Sequence, residues 1–576
     1  MEKQIEKLVI KLVKKLYNFD LEPNQFLAEP PDNEVFGDFS SNIALILGKK
    51  LKRKPMDLGQ EIVKELEKDK SLNSVFVKIE VLPPGFINFH FKKEYLLKLF
   101  KLALEKGAEY GSNNYFKGKK IMVEYAHPNT HKLFHLGHLR NITNGEAVVR
   151  ILKSLGAKVI RANYQGDVGM HIAKCLWAVK KDKISFKTLK NLDQKIEYLG
   201  KAYVKGNKAY EKNKKAKAEI LEVNRKIYEK KDQEIIDLWQ ETRQWSLDYF
   251  ERIYKRLDSC FDRFYFESEV ALKGKEIVLK ALKKDIFKKS KGAIIFPGSK
   301  YGLHDRVFIT SQGNPTYEAK DMELGRLQFE EYNPDFIIHN VGPEQAEYFK
   351  VIFKALEMVS PFTKDREKHL LYGWVRLKKG KMSSRLGNVV TGEWLLDEAK
   401  KRLKKEFPET KKEILEMIGT GSVKYSFLKV GSATDLAFDI DESISLQGNS
   451  GPYLQYTYAR CLSVLNKAGI DIKTKSDSLG FREKDLVLNQ EELGLLRTFL
   501  NFSQVVLRAG QEYSPNLIAN FLYDFSKNYN AFYNKHRILK EKDKDKRIFR
   551  LALTKITGVI IKKGLYLLGI KAPQKM

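Results

Sequence analysis

An α/β fold built on a doubly wound parallel sheet is predicted by three observations. Between residues 119 and 444, short apolar runs of strand length alternate with segments that carry the 3.6-residue stripe of a helix. The polar residues able to do chemistry stand where those runs end, and parallel sheets bind ligands at the carboxyl ends of their strands. The alternation then stops. Residues 445–576 carry only long helical patterns and are expected to form an all-α bundle, while residues 1–118 read as a small N-terminal α+β domain.

In chain order, Met1–Asn18 sets Ile5, Leu8, Val9, Leu12, Val13 and Leu16 on one stripe between lysines. That predicts a docked amphipathic helix, because the continuous apolar core and small-residue cleavage site of an export signal are missing. A loop with Pro30-Pro31 leads to a helix entered at Ser40 or Ser41. Val75–Val81 and Phe86–Phe91 are strands on either side of the Pro83-Pro84-Gly85 turn. In the central segment, Ile121–Tyr125 is a buried strand, Leu139–Leu155 a helix stopped by Gly156, and Val159–Asn163 the next strand. Further strands are expected at Arg306–Thr310, Phe336–Val341 and Leu370–Leu377, with a helix over Gln345–Met358. A Lys-rich helical insertion occupies about 183–290. Tyr453–Ala468, Glu491–Glu512, Pro515–His536 and Lys546–Leu568 are the helices of the closing bundle.

Charge narrows the partners. Across 576 residues, 104 Lys and Arg face 73 Asp and Glu, a formal charge of +31. That excess favours a polyanion, nucleic acid first and an anionic membrane second. No run approaches the roughly 18 apolar residues of a membrane span, so no membrane partner is expected. Cys175, Cys260 and Cys461 are too few and scattered for a disulfide framework or a Cys-based zinc site, which points to a reducing compartment, the cytoplasm. From Gly200 to Lys231, eleven Lys or Arg stand against four acidic residues. A solvated helix face is the ordinary reading of such a run, and an RNA-facing surface the alternative.

Two segments carry the chemistry. The first runs from Val123 to Arg140, where a strand gives way to a helix whose unpaired N–H groups face any ligand. His135 and His138, with Gly137 between them, are expected to put two imidazoles on one helical face beside a position without a side chain. A base can lie against that backbone while the imidazoles reach a phosphate. The spacing of His131, His135 and His138 also admits a zinc site. The second segment, Lys379–Asn388, is a glycine-flanked loop offering Lys381, Ser383, Ser384 and Arg385 to a polyphosphate.

HLGH and KMSSR resemble the HIGH and KMSKS signatures of class I aminoacyl-tRNA synthetases, and the surrounding residues resemble the arginyl-tRNA synthetase family. Glu124-Tyr-x-x-Pro-Asn129-x-x-Lys132-x-x-His135-x-Gly-His138-x-Arg140 is similar to that family's extended signature. Asn163-Tyr-Gln-Gly-Asp167 and Pro315-Thr-Tyr317-x-x-x-Asp321 resemble its later strand-end motifs. Gly451-Pro-Tyr453-Leu-Gln455-Tyr456 looks like the entry to its anticodon-binding helices, and FGDFSSN like part of its N-terminal domain.

The resemblance implies a Rossmann-type catalytic domain (119–444) between an N-terminal tRNA-contacting domain (1–118) and a helical anticodon-binding domain (445–576). It implies an arginine–tRNA ligase: arginine and ATP form arginyl-adenylate, and the 2′-hydroxyl of the terminal adenosine of tRNA(Arg) takes the aminoacyl group. By carry-over, His135, His138, Lys381 and Lys132 are catalytic. ATP falls to His135, Gly137, His138, Lys381, Met382, Ser383 and Ser384. Arginine falls to Glu124, Asn129, Tyr317, Asp321 and Gln345, the last of which resembles either an arginine or a ribose contact, with Asp321 as the partner of the guanidinium, whose five donors and fixed charge call for carboxylates. Mg²⁺ would arrive with ATP, no metal or cofactor would be tightly held, and the chain would work as a monomer that activates arginine once tRNA is bound. Tyr453, Tyr456, Tyr458, Tyr529, Phe532 and Tyr533 are candidates to stack on anticodon bases.

The sequence also departs from the family. Ser384 stands where the general KMSKS pattern has its second lysine, a charge that Lys132 is expected to supply. Ala126-His127 replace a usual Ser-Ser, and His131 a smaller residue. A different class I synthetase, a non-catalytic RNA-binding relative and a small-molecule nucleotidyltransferase are the rival readings.

Overall fold

The continuous apolar run at Ile121–Val123 becomes strand β1 (Lys120–Glu124), the middle of a five-stranded sheet. With β2 (Lys158–Gln165), β3 (Arg263–Phe266), β4 (Phe336–Val341) and β5 (Glu367–Leu371), the order is β5-β4-β1-β2-β3 and every pairing is parallel. The chain steps one way from β1 through β2 to β3, then returns to β4 on the other side. That reversal opens a crevice at the carboxyl ends of β1 and β4. This computed structural model describes residues 2–22, 26, 28–29, 31, 36–182, 186–378, 390–472, 480–483 and 486–576. The KMSSR loop, with Lys381, Met382, Ser383 and Ser384, lies outside the described residues.

Both faces of the sheet are covered, which is why its central strands read as apolar runs. Ile121 and Val123, with Val159 and Ile338, pack in one layer with Leu139 and Ile142 of helix α1 (Leu136–Ser154). Met122 and Ile337 pack in the other with Leu324 and Phe329 of α2 (Tyr317–Tyr332). Helix α1 is buried almost all round, so it shows no strong apolar stripe and no charged face.

Several expected elements take a different form. Arg306–Ile309 does not join the parallel sheet. It pairs antiparallel with Ala293–Phe296 in a separate three-stranded sheet, because the connection 297–305 is shorter than the roughly dozen residues a parallel crossover requires. The Lys-rich stretch is helical at Leu192–Lys212, Lys214–Glu229 and Gln233–Arg256, but it also contains β3, an edge strand of the main sheet. Leu370–Leu377 is two strands. β5 ends at Leu371, and Val375–Leu377 pairs with Leu436–Phe438 instead.

The contacts divide the chain into two compact units, residues 111–462 with 503–524 and 561–576, and residues 1–110 with 463–502 and 525–560. In the second, an antiparallel sheet runs in the order Ala28–Glu29, Phe39–Ser41, Phe86–Phe91, Phe76–Leu82. Asp38 of FGDFSSN is buried there. Its carboxylate accepts from the Phe91 amide at 2.7 Å and from Arg497 Nε at 2.7 Å. The helix expected over Glu491–Glu512 is two, Gln490–Leu500 and Phe502–Gln511, parted at Asn501, whose N–H closes a tighter turn on the Thr498 carbonyl. No described helix is long and apolar enough to cross a membrane.

Candidate active site

Between β1 and α1 the backbone is strained. Ala126, His127 and His131 all have positive φ, at 82°, 48° and 62°. Such conformations persist only where the surroundings hold them. Asn141 Oδ1 accepts from the Ala126 amide at 2.6 Å, and Ser246 Oγ from the His131 amide at 2.9 Å. The departures from the usual small residues therefore sit on the loop that shapes the site.

His131 turns into the protein. Thr130 Oγ1 lies 3.1 Å from its Nδ1 and Thr242 Oγ1 2.8 Å from its Nε2, and burial pushes its pKa down to about 3. Its ring nitrogens are engaged by hydroxyls, so the spacing that suggested a zinc site instead gives a buried core histidine.

His135 and His138 do meet, by a route that helical periodicity does not describe. His135 is the N-cap of α1 and His138 its third residue, and the two form a reciprocal capping box made of imidazoles. The Gly137 amide donates to His135 Nδ1 at 3.1 Å, and the His135 amide donates to His138 Nδ1 at 3.2 Å. The rings stack with centroids 3.6 Å apart and planes 24° from parallel. Because both Nδ1 atoms accept, both neutral rings carry their hydrogen on Nε2 and present it as a donor. Burial holds both rings neutral, with His135 brought down to about 4 and His138 well below its ordinary value. A Cβ on residue 137 would lie 2.9 Å from His135 Cε1, so Gly137 is what lets the ring fold over the helix entry.

Two cations frame this pair. Lys132 is partly buried, which lowers its pKa, and its charge helps to depress both histidines. Arg140, fully buried, has no carboxylate in bonding range among the described residues. It donates to the carbonyls of Gly373 (2.8 Å), Trp374 (3.1 Å), Gly431 (3.4 Å), Ser432 (3.1 Å) and Thr434 (2.7 Å).

The five residues expected around arginine converge. Glu124, Asn129, Tyr317, Asp321 and Gln345 line one cavity of about 460 Å³ at the carboxyl ends of β1 and β4. Asn129 reaches it through Gly166 of the NYQGD segment, where a Cβ would lie 2.2 Å from Asn129 Oδ1. Tyr317 and Asp321 occupy the first two turns of α2. Asp321 accepts from the Tyr348 hydroxyl at 2.6 Å, and burial raises its pKa to about 8.

Sequence reasoning missed the rest of the wall. Lys320 Nζ bonds Glu267 Oε2 at 2.6 Å, which neutralises that cation. Glu124 accepts from Gln328 and faces His339 at 3.2 Å; His339 in turn meets Glu367 at 2.7 Å. The one local hint of His339 is a polar His-Asn pair inside the strand-like run FIIHNV, which does not say what the histidine faces. A carboxylate-rich cavity with most of its own cations paired is suited to a cationic ligand.

A larger cavity, about 1030 Å³, contains none of the expected site residues. Its charges neutralise one another: Arg256 bonds Glu416 at 2.9 Å and Asp397 at 2.7 Å, and Lys400 bonds Glu416 at 2.9 Å. Among the aromatic candidates for base stacking, Tyr458, Tyr529 and Phe532 are core residues, while Tyr456 and Tyr533 are exposed.

Comparison with known proteins gives a consistent set of matches. A family model described as tRNA synthetases class I (R), catalytic domain, matches residues 100–440. Models described as DALR anticodon binding domain and Arginyl tRNA synthetase N terminal domain match 454–576 and 3–91. An arginine–tRNA ligase of Borrelia turicatae is 31% identical over 596 aligned residues, covering 100% of this chain and 99% of that protein. One of Porphyromonas gingivalis is 36% identical over 491, covering 79% and 80%. The solved arginyl-tRNA synthetase of Thermus thermophilus has a TM-score of 0.80 at 24% identity, with all of both chains covered.

Proposed function

This chain belongs to the class I arginyl-tRNA synthetases, and we propose how its own residues carry the family's reaction. The enzyme is an arginine–tRNA ligase. An arginine carboxylate oxygen attacks the α-phosphorus of ATP, pyrophosphate leaves, and the 2′-hydroxyl of the terminal adenosine of tRNA(Arg) then takes the arginyl group with release of AMP. Both nucleophiles belong to substrates, so the protein's work is positioning and charge stabilisation.

The observation that carries the assignment is the convergence of Glu124, Asn129, Tyr317, Asp321 and Gln345 on one acidic cavity. Asp321 takes the guanidinium, Glu124 and Asn129 the ammonium end, and Tyr317 and Gln345 the remaining contacts. The two Nε2–H donors of His135 and His138 face the α-phosphate as negative charge grows on its oxygens. Gly137 leaves room for the adenine, and Lys132 supplies a cation beside the histidines. By resemblance, Lys381, Met382, Ser383 and Ser384 contribute to binding ATP, with Mg²⁺ brought in as MgATP.

By role the chain divides at 1–118 (tRNA elbow), 119–444 (catalysis) and 445–576 (anticodon). Exposed Tyr456 and Tyr533 are the better placed of the aromatic candidates for the bases. The protein works as a cytoplasmic monomer and activates arginine only with tRNA bound. Pyrophosphate exchange run with each amino acid, with and without tRNA(Arg), tests the reading. Exchange with arginine alone, dependent on tRNA, is expected; exchange with another amino acid overturns it.

A further inference from the structure

His339 lies opposite Glu124 in register on neighbouring strands, and both imidazole nitrogens face carboxylates. Nδ1 is 3.2 Å from Glu124 Oε1 and Nε2 is 2.7 Å from Glu367 Oε2. All three side chains are almost fully buried. A neutral imidazole has one N–H and could satisfy only one of these acceptors, leaving its lone pair against the other. With both carboxylates ionised the arrangement is complete only as an imidazolium, with one net negative charge left over. Burial raises the pKa of Glu367, and a proton placed there instead leaves Nδ1–H donated to Glu124 all the same. We propose that His339, anchored by Glu367, is a positioning residue that holds Glu124 ionised and aimed into the substrate cavity. This rests on the assignment of Glu124 to arginine binding.

The surroundings agree. Burial opposes charge on His339, but Glu124 and Glu367 outweigh it and raise its pKa to about 10. Burial also opposes charge on Glu124, yet its pKa stays below the ordinary value because of His339. Asp321 offers a contrast: in the same cavity, bonded to the Tyr348 hydroxyl rather than to an imidazolium, it is raised to about 8 by burial, with Glu124 and Glu318 adding to the rise. The other titratable groups do not replace the imidazolium. His127 Nδ1 stands 3.9 Å from Glu124, burial lowers the pKa of both His127 and His369, and Arg366 acts on Glu367, at the far end of the triad from Glu124. The phenyl rings of Phe349 and Phe353 pack beside the imidazole, with centroids 5.2 and 5.6 Å from it.

The test uses the full chain with tRNA(Arg) and compares wild type, His339→Asn and Glu124→Gln. Calorimetry of L-arginine binding at pH 7, in two buffers of different ionisation heat, counts protons released. Wild type should release about one, from Asp321, and His339→Asn about two, since Glu124 then also starts protonated. In pyrophosphate exchange, the His339→Asn KM for arginine should rise about tenfold at pH 7 and fall about one log unit per pH unit more steeply than wild type, with kcat changed less than about threefold. Equal proton counts and parallel pH profiles would overturn the proposal. Glu124→Gln separates the two claims: an unchanged arginine KM there removes Glu124 from the substrate site, whatever His339→Asn does. Ring-¹⁵N histidine spectra of the wild-type protein need no variant. One histidine should stay doubly protonated to about pH 10; none doing so above neutrality sinks the idea.

Discussion

Arg140 Nη1 donates to the carbonyl of Gly373 at 2.8 Å, joining the end of the HLGH helix entry to the connection just before strand Val375–Leu377, which precedes the KMSSR segment in the chain. The remaining bonds of the same guanidinium reach Trp374 and the 431–434 turn, so one side chain fixes two connections around the nucleotide site. Burial brings its pKa down to about 10, but five carbonyls keep it a cation. Lysine keeps the charge and loses the fork. Arg140→Lys should cost about 2–3 kcal/mol of stability through stranded carbonyls, and should raise the KM for ATP more than that for arginine. A thermal melt and the two KM values check this; an unchanged melt would remove the positioning role.

The stacked histidines make a directional prediction. Glutamine's amide nitrogen reaches where Nε2 stands, whereas asparagine's reaches only Nδ1. At His138, Nδ1 serves the cap and Nε2 is free for phosphate. Both substitutions should slow adenylate formation, His138→Asn by roughly 100- to 1,000-fold and His138→Gln by clearly less. His138→Asn should keep the wild-type melting temperature. Equal rates in the two variants would argue against an Nε2 donor.

The residues that were legible in the sequence and those that were not differ in a physical way. Glu124, Asn129 and Asp321 were readable because each belongs to a contiguous motif that resembles the family's, Glu124 to Arg140 and Pro315 to Asp321. His339 and Glu367 were not, because their meaning lies in the pairing of β4 with β1 and β5, which no local pattern encodes. The His135–His138 stack was misread as a helical face because the helix begins only at Leu136. Strand β3 escaped because four residues between two helices give too little alternation to recognise.

Asp321 makes arginine binding pH-dependent. With its pKa raised to about 8, the free enzyme carries this carboxyl protonated at neutrality, and a guanidinium needs it ionised. The proton must leave on binding, so affinity rises with pH up to about 8 and then levels. The arginine KM should fall about tenfold per pH unit between pH 6 and 7.5. Asp321→Asn should flatten that profile and raise the KM at least about 100-fold by leaving the guanidinium without its charge partner. A profile of unchanged slope in Asp321→Asn would place the titrating group elsewhere.

Among the described residues, Lys132 is the cation whose charge lowers the pKa of both signature histidines. Lys132→Ala should lower single-turnover adenylate formation by roughly 100-fold, with arginine and tRNA saturating. Near-normal rates would show that Ser384 in place of lysine needs no compensation from this position.

Lys424 carries no catalytic role and reports instead on the stability of the larger unit. Its ammonium nitrogen is fully buried against the carbonyls of Leu257 and Gly569, and burial lowers its pKa to about 7. A neutral amine has two N–H donors, which those two carbonyls satisfy. Above pH 7 the folded lysine is neutral while the unfolded one stays charged until about pH 10.4. The unfolded state then binds more protons, so this residue makes stability rise with pH, by up to about 1.4 kcal/mol per unit. Lys424→Met removes that contribution. Between pH 7 and 9 the wild-type melting temperature should therefore gain on that of Lys424→Met, and parallel curves would mean that the buried lysine is charged throughout.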